Sequence, residues 1–260
     1  MPKTSLSFIA ALVLAHTAFA VGAERVVDIP TRPGVTQRFL LNVPPDAKVA
    51  AILFAGGHGG LQITDAGALR FGRNNFLVRA APLFIAQGVA VAILDAPSDR
   101  QSAPFLEFFR ETPEHAGDVQ SVIAWLREQL KLPVWLIGTS RGTQSVAAVS
   151  TRLGAKGADG IVLTSTILVD RRSTAVPDMD LQRLAIPVLV VHHEQDGCRA
   201  CPFREVTRLM SKLSAAPRKE LVTFQGGENQ GDPCEALAYH GYNGLERDVT
   251  ARISAWITGQ

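Results

Sequence analysis

The sequence predicts an α/β domain built on a doubly wound, mostly parallel sheet of about eight strands flanked by helices. Two observations predict this fold class. Short apolar runs alternate along the chain with segments of helical periodicity, and most of these runs are continuously apolar. Strands buried on both faces of a parallel sheet have this composition. Alternating strands and helices form right-handed crossovers, and ligands of such sheets bind at the carboxyl ends of the strands.

The overall composition fits one globular domain. The chain has 260 residues, of which 47% are apolar and 19% charged, with a formal net charge of +2. This length is enough for a sizeable core. The balanced charge and the lack of a polybasic run argue against nucleic acid or an anionic membrane surface as a partner. The oligomeric state is not predicted.

The first residues differ in character from the rest. Lys3 precedes a short apolar segment at 6–15, and small residues after it offer a cleavage site. This pattern is typical of a secretory signal peptide, and the segment is shorter than the about 20 residues that span a bilayer. We expect a signal peptide over 1–23, with an uncleaved anchor as the alternative. A single periplasmic or secreted domain over 24–260, without a membrane span, is expected to follow.

Seven apolar runs are predicted as strands. They cover residues 36–43, 49–55, 89–95, 133–138, 159–166, 187–193 and 219–225.

The predicted helices lie between these strands. Thr112 as N-cap and Pro113 at the first position begin one helix, which apolar spacing continues to Leu130. Pro202 is expected to open another helix, and a last helix is expected before the end of the chain. Residues 76–87 show a less clear helical pattern, because Pro82 interrupts it and could restart the helix at that point.

Residues 134–143, VWLIGTSRGT, place Ser140 between two glycines directly after a predicted strand. Small residues follow from Ser145 to Ser150, which suits a closely packed helix. A G-x-S-x-G pattern between a strand and a helix is typical of a nucleophile elbow. A plain turn is the alternative for the pentapeptide alone, but its context favours Ser140 as a catalytic nucleophile.

A serine hydroxyl needs a general base, and the base needs an orienting acid. His240 lies in a glycine-rich loop between the last predicted strand and the final helix, and it is the predicted base. Asp196 follows strand 187–193 and is the predicted acid, with Asp170 and Glu194 as alternatives. The chain order serine, acid, histidine is associated with this elbow.

The other histidines receive structural interpretations. His115, in the first turn of a helix, is expected at the surface. His192 and His193 end a strand and are interpreted as packing or supporting groups. No third ligand joins them, so no metal site and no cofactor is expected.

The chain resembles the α/β-hydrolases, in particular serine esterases and dienelactone hydrolases, over about residues 36–258. The matching segments are GTSRG, FAGGHGG, LDAPSDR, VVHHEQDG and AYHG. The resemblance implies a serine hydrolase that cleaves a small-molecule ester, or a related acyl bond, through an acyl-enzyme. It also implies an oxyanion hole formed by the N–H groups of Arg141 and Gly57, with His58 as the next candidate. The chain departs from many members in having Ala55 before the glycine.

Two features bear on the substrate. The short connection between strands 159–166 and 187–193 leaves no room for a large cap domain. The polar segment 61–80 is either a solvated loop or a lining of the entrance that gives a preference for an anionic or polar acyl group. The first interpretation is favoured for its polar residues, Arg70, Arg73, Asn74 and Asn75.

Three cysteines, Cys198, Cys201 and Cys234, predict one disulfide and one remaining thiol in an oxidising compartment. The pairing is left open. A bridge from Cys198 or Cys201 to Cys234 is the hypothesis that would join the acid loop to the base loop.

Two other functions remain open from the sequence. The chain could be a binding protein that keeps the fold without turnover, because fold does not establish function. It could also be a peptidase or a carbon–carbon bond hydrolase with the same three residues.

Overall fold

A computed structural model describes residues 22–259 of the chain. The segment predicted as a signal peptide therefore lies almost entirely outside the described residues. The described part forms an eight-stranded sheet in the order β1-β2-β4-β3-β5-β6-β7-β8. Its strands are β1 (Arg25–Arg32), β2 (Val35–Asn42), β3 (Val49–Phe54), β4 (Val89–Leu94), β5 (Val134–Thr139), β6 (Gly160–Thr164), β7 (Val188–His193) and β8 (Lys219–Phe224).

The pairing directions confirm the predicted doubly wound, mostly parallel sheet. β1 and β2 form an antiparallel hairpin, and β2 also pairs antiparallel with β4. All other neighbouring strands, from β4 across to β8, are parallel. Every residue of β3, β4, β5, β6 and β7 is buried, as their continuous apolar runs predict. β1 was not predicted because its residues alternate between buried and exposed positions at the sheet edge.

Helices cover both faces of the sheet. They are α1 (Phe76–Ile85), α2 (Pro113–Leu130), α3 (Gly142–Leu153), α4 (Val206–Lys212) and α5 (Glu246–Thr258). Side chains of α1 and α5 pack into one apolar cluster, and those of α2, α3 and α4 pack into the cluster on the opposite face. Among the described residues, no helix has the length and apolar character needed to cross a membrane.

Two helix predictions are corrected by the structure. α1 continues through Pro82 without a break. A proline lacks the N–H that would bond the carbonyl four residues earlier, and burial of Phe76, Leu77 and Phe84 compensates for that loss. α4 begins at Val206, because the residues after Pro202 form a short 3₁₀ turn instead.

The loops that leave the carboxyl ends of the parallel strands lie at one edge of the sheet. This edge receives the glycine-rich loop after β3, the GTSRG turn after β5 and the loop after β7 that contains Asp196. Side chains that are far apart in the sequence therefore meet there.

Candidate active site

The turn between β5 and α3 has the geometry of a nucleophile elbow. Ser140 has a φ of 53°, in the left-handed region that non-glycine residues rarely occupy. A Cβ on Gly138 would lie 2.6 Å from the carbonyl oxygen of Gly142, and a Cβ on Gly142 would overlap the carbonyl oxygen of Phe54. Gly138 is therefore required for β5 to approach the first turn of α3, and Gly142 for α3 to approach the end of β3. The turn is held by the N–H of Ser140, which donates to the carbonyl of Thr164 at 3.0 Å.

Ser140 is partly exposed and lines a cavity of about 540 Å³. His240 lines the same cavity, together with the loop after β3 and residues 70–76. The polar residues predicted either to be solvated or to lie at the entrance, Arg70, Arg73, Asn74 and Asn75, belong to this lining. A cavity of this size, lined by both Ser140 and His240, can hold a small molecule.

His240 is paired with Asp196. Nδ1 of His240 and Oδ2 of Asp196 are hydrogen-bonded at 2.9 Å, and both residues are buried. The other carboxylate oxygen accepts the N–H of Cys198 at 2.9 Å. The carboxylate oxygen is the acceptor of this hydrogen bond, so Nδ1 is the donor. In the neutral imidazole, Nδ1 therefore carries the proton, and Nε2 has the free lone pair of a base. Among the described residues, Nε2 has no hydrogen-bond partner.

The backbone around His240 is fixed by several polar contacts. The hydroxyl of Ser165 donates to the carbonyl of His240 at 2.6 Å. The hydroxyl of Tyr242 accepts the N–H of Ser165 at 3.1 Å and donates to the carbonyl of Val191 at 2.8 Å. Arg79 on α1 donates to the carbonyl of Gly241 at 2.6 Å. The imidazole is thereby held against the ends of β6 and β7.

A disulfide joins Cys198 to Cys234, and Cys201 remains a buried thiol. Cys198 follows Asp196 by two residues and Cys234 precedes His240 by six, so the bridge links the loops that contain the two paired side chains. Burial raises the pKa of the Cys201 thiol well above its ordinary value. The ligand atoms of Cys198, Cys201 and His240 lie within 4.8 Å of one another. The oxidised sulfur of Cys198 cannot act as a thiolate, so the disulfide form does not offer a three-ligand metal site there.

The loop after β3 lies against the nucleophile. A Cβ on Gly56 would be 3.0 Å from Cβ of Ser140. Gly57 has a φ of 59°, and its N–H, like that of Arg141, donates to no acceptor among the residues described. Backbone N–H groups without an acceptor are the kind of donor that stabilises an oxyanion. The ring of His58 stacks on Phe105 at 4.3 Å, and its Nδ1 accepts the N–H of Gly60.

The two alternative acids have other partners. Asp170 forms an ion pair with Arg141 at 2.7 Å. Burial by itself would raise the pKa of Asp170, but hydrogen bonds to its carboxylate hold the pKa below the ordinary value. Glu194 accepts hydrogen bonds from Thr223 and from a neighbouring glutamine at the end of β8. Asp196 alone of the three candidates pairs with the imidazole of His240.

His115 contradicts its predicted surface position. The residue is 1% exposed, and its Nε2 is hydrogen-bonded to Oγ of Ser145 at 3.0 Å. The segment before α2 folds over this end of the helix, and Phe109 lies 5.6 Å from the imidazole. Burial, followed by the charges of Arg110 and Arg32, lowers the pKa of His115 to about 3. Its place in the first turn of a helix predicts neither the burial of His115 nor its low pKa, because both depend on the segment that covers the helix.

The two adjacent histidines at the end of β7, His192 and His193, are buried and bond to neighbouring backbone, in line with the supporting role interpreted from the sequence. Nε2 of His192 donates to the carbonyl of Cys201 at 2.9 Å, and Nε2 of His193 donates to the carbonyl of Gly226 at 2.9 Å. The ring of His193 stacks on Tyr239 at 4.5 Å, next to His240. No sequence pattern indicated Arg110 or Ser165, because their contacts form only in the folded chain.

Comparison with known proteins defines the fold. No protein-family model and no curated protein matches the chain. Solved structures do match. A dienelactone hydrolase from Anabaena variabilis has a TM-score of 0.63 at 13% identity, covering 91% of this chain and 97% of its own. An α/β serine hydrolase without a lid from Xanthomonas campestris has a TM-score of 0.56 at 19% identity, with 91% and 96% covered.

A third structure, an esterase from Pyrococcus furiosus, has a TM-score of 0.62 at 12% identity and covers 91% of each chain. The chain therefore has the α/β-hydrolase fold, and the resemblance drawn from its motifs is confirmed for the fold. Identities at this level do not establish an activity.

Proposed function

We propose that this protein is an exported serine hydrolase that cleaves a carboxylic ester through an acyl-enzyme. One observation carries the proposal. A strained serine between two required glycines shares a cavity with an imidazole whose other nitrogen is paired with a buried carboxylate. Backbone strain of this kind is concentrated at functional sites, and it is costly to maintain without a role.

The proposed chemistry assigns one role to each of these groups. Oγ of Ser140 attacks the ester carbonyl while Nε2 of His240 accepts the hydroxyl proton. Asp196 holds the imidazole in the required tautomer and stabilises its charged form. The imidazolium then passes the proton to the departing alcohol, which leaves an acyl group on Ser140. Water, activated by His240, hydrolyses this acyl-enzyme and restores the serine.

The negative charge of the tetrahedral intermediate needs nearby donors. The N–H groups of Arg141 and Gly57 are proposed to bind this oxygen, because both lack an acceptor among the described residues. Arg141 directly follows Ser140, and Gly57 directly follows Gly56, whose Cβ position lies 3.0 Å from Cβ of Ser140. The positive end of the α3 dipole favours the same charge. The chemistry proposed here uses side chains, backbone N–H groups and water.

Two further points support the proposed ester substrate and the proposed export. Several structural neighbours are described as esterases, which favours an ester over other acyl bonds. The disulfide between Cys198 and Cys234 is compatible with a periplasmic or extracellular location, because disulfides persist in oxidising compartments.

Ser140→Ala tests the proposal. The variant is expected to lose both hydrolysis of short p-nitrophenyl esters and labelling by a fluorophosphonate probe while remaining folded. Ser150→Ala is the matched control, since this serine lies on α3 and its buried hydroxyl lacks a partner among the described residues. Full labelling of Ser140→Ala would exclude Ser140 as the nucleophile. Absence of turnover and labelling in the wild type would instead favour a binding protein. Product analysis with peptides and lactones distinguishes an esterase from a peptidase or a carbon–carbon bond hydrolase.

A further inference from the structure

Arg110 is a buried cation beside the loop that follows β3. The residue is 5% exposed, and its Nη2 donates to the carbonyl of Gly57 at 3.0 Å. Its Nη1 donates to Oγ of Ser145 at 2.9 Å. Among the described residues, these two neutral groups are its hydrogen-bond acceptors, and no carboxylate forms an ion pair with it. A buried guanidinium without a counter-ion is costly, so its retention calls for a role.

The two hydrogen bonds connect the two elements that flank Ser140. Gly57 belongs to the loop after β3, whereas Ser145 lies on α3, whose first turn follows Arg141. The proposed oxyanion donors, the N–H groups of Gly57 and Arg141, therefore lie on the two elements that one guanidinium joins. A planar guanidinium fixes both the distance and the angle between the two groups that it joins.

The surrounding backbone is built around this guanidinium. A Cβ on Gly59 would lie 2.5 Å from Nη2 of Arg110, so a glycine is needed there for the cation to fit. The N–H of Leu106 donates to the carbonyl of His58 at 3.1 Å. Two consecutive carbonyls of the glycine-rich loop are thus held by the segment that ends at Arg110. A loop of this composition would otherwise have wide backbone freedom.

We propose that Arg110 is a positioning residue for the oxyanion hole: its guanidinium holds Gly57 at a fixed distance from α3, so that the two N–H donors face one oxygen. This inference rests on the proposed function. The stabilisation of an oxyanion depends on donors that are already in place when the charge develops. Loss of the guanidinium is therefore expected to weaken transition-state binding more than substrate binding, which lowers kcat more than it raises KM.

Arg110→Met tests the inference, because it keeps an unbranched side chain but removes both hydrogen bonds. We expect kcat to fall about 10- to 100-fold, somewhat less than for deletion of an oxyanion donor, with KM changed by less than about threefold. The pH profile of kcat should keep its shape, since the pair of His240 and Asp196 is intact. Arg127→Met, on α2 and paired with Asp159, is the matched control and should keep wild-type kcat.

Chemical rescue separates this role from a general packing role. Arg110 lines a second cavity of about 160 Å³ together with Gly57 and Arg141, which gives a small cation access to the vacated position. We expect millimolar guanidinium, far below denaturing concentrations, to restore part of the kcat of Arg110→Ala and to leave the Arg127 control unchanged. Absence of rescue in a folded, saturable variant would argue for packing alone.

The outcomes distinguish the two proposals. A wild-type protein that neither hydrolyses esters nor labels at Ser140 contradicts the proposed function itself. An active wild type whose Arg110→Met variant keeps kcat within about twofold contradicts the positioning role, as does a loss expressed mainly in KM or in a shifted pH profile. If Arg110→Met does not fold, Ser145→Ala removes one of the two bonds of Arg110, together with the bond between His115 and the same hydroxyl. A kcat reduced about three- to tenfold supports the inference, and an unchanged kcat overturns it.

Discussion

At the scale of single residues, substitution of a glycine in the elbow tests whether close backbone packing is required there. A Cβ on Gly142 would overlap the carbonyl oxygen of Phe54, whereas a Cβ on Gly117, within α2, meets no atom within 4 Å. Gly142→Ala is therefore expected to lower the melting temperature and abolish probe labelling. Gly117→Ala should instead raise the free energy of unfolding by about 0.5–1 kcal/mol, because alanine loses less backbone entropy in a helix. Denaturant unfolding of both variants measures these opposite signs, and equal behaviour of the two would contradict the packing argument.

The choice of acid is also decided at this scale. Asp196→Asn removes the negative charge beside Nδ1 of His240 and favours the wrong tautomer, so kcat is expected to fall roughly 10⁴-fold. Asp170→Asn, the matched control, disturbs an ion pair with Arg141 but leaves the imidazole pair intact. Ester hydrolysis should therefore fall far less in this control. A comparable loss in Asp170→Asn would show that the wrong carboxylate has been assigned.

At the scale of elements, the disulfide ties the loop after β7 to the loop before α5. Its closed segment has a sequence separation of 36 residues, for which chain-entropy arguments give about 2–4 kcal/mol of stability. The double variant Cys198→Ser with Cys234→Ser is expected to lose about this amount in denaturant unfolding, and also to lose kcat, because the distance between Asp196 and His240 is no longer restrained.

Cys201→Ala is the control for the loss of a cysteine without loss of the bridge. Its buried thiol donates to the carbonyl of Ser165 at 3.3 Å, and the disulfide remains in place. This variant should keep wild-type kcat. If the double serine variant kept full activity and stability, the bridge would not restrain the two loops.

At the scale of the whole molecule, buried neutral histidines predict how stability depends on pH. Burial first, and then the charges of Arg110 and Arg32, lower the pKa of His115 in the folded state to about 3 from an ordinary value of 6.5. The unfolded chain therefore binds more protons than the folded chain between these two values. The free energy of unfolding is expected to decrease as the pH falls through this window, by about 1.4 kcal/mol per pH unit for one group well below 6.5.

His115→Gln tests this dependence and keeps a polar side chain near Ser145. Denaturant unfolding between pH 6.5 and 5 should show a smaller slope of stability against pH than in the wild type. His192 contributes in the same direction, since burial also lowers its pKa, so the slope should not vanish. An identical slope in the variant would mean that His115 is protonated in the folded protein.

The parts of this protein that depend on local pattern could be predicted from its sequence. Continuous, mostly apolar runs identified β3 to β7, because burial on both faces favours apolar residues along the whole strand. Runs of mixed polarity identified β2 and β8. The glycines at 138 and 142 identified the elbow because the close approach of backbones leaves no room for a Cβ. The loops after β7 and before α5 were also placed at the correct edge, because parallel strands share one carboxyl end.

The tertiary structure alone decided the contacts between distant segments. Asp196, Asp170 and Glu194 all follow strands at the same edge, and only the folded chain shows that Asp196 pairs with His240. The pairing of the cysteines and the burial of His115 were decided in the same way. The physical reason is that hydrogen bonds, ion pairs and desolvation depend on distances of a few ångströms between residues that the sequence separates by tens of positions. Apolar periodicity specifies which element a residue joins, whereas its partners are specified by how those elements pack.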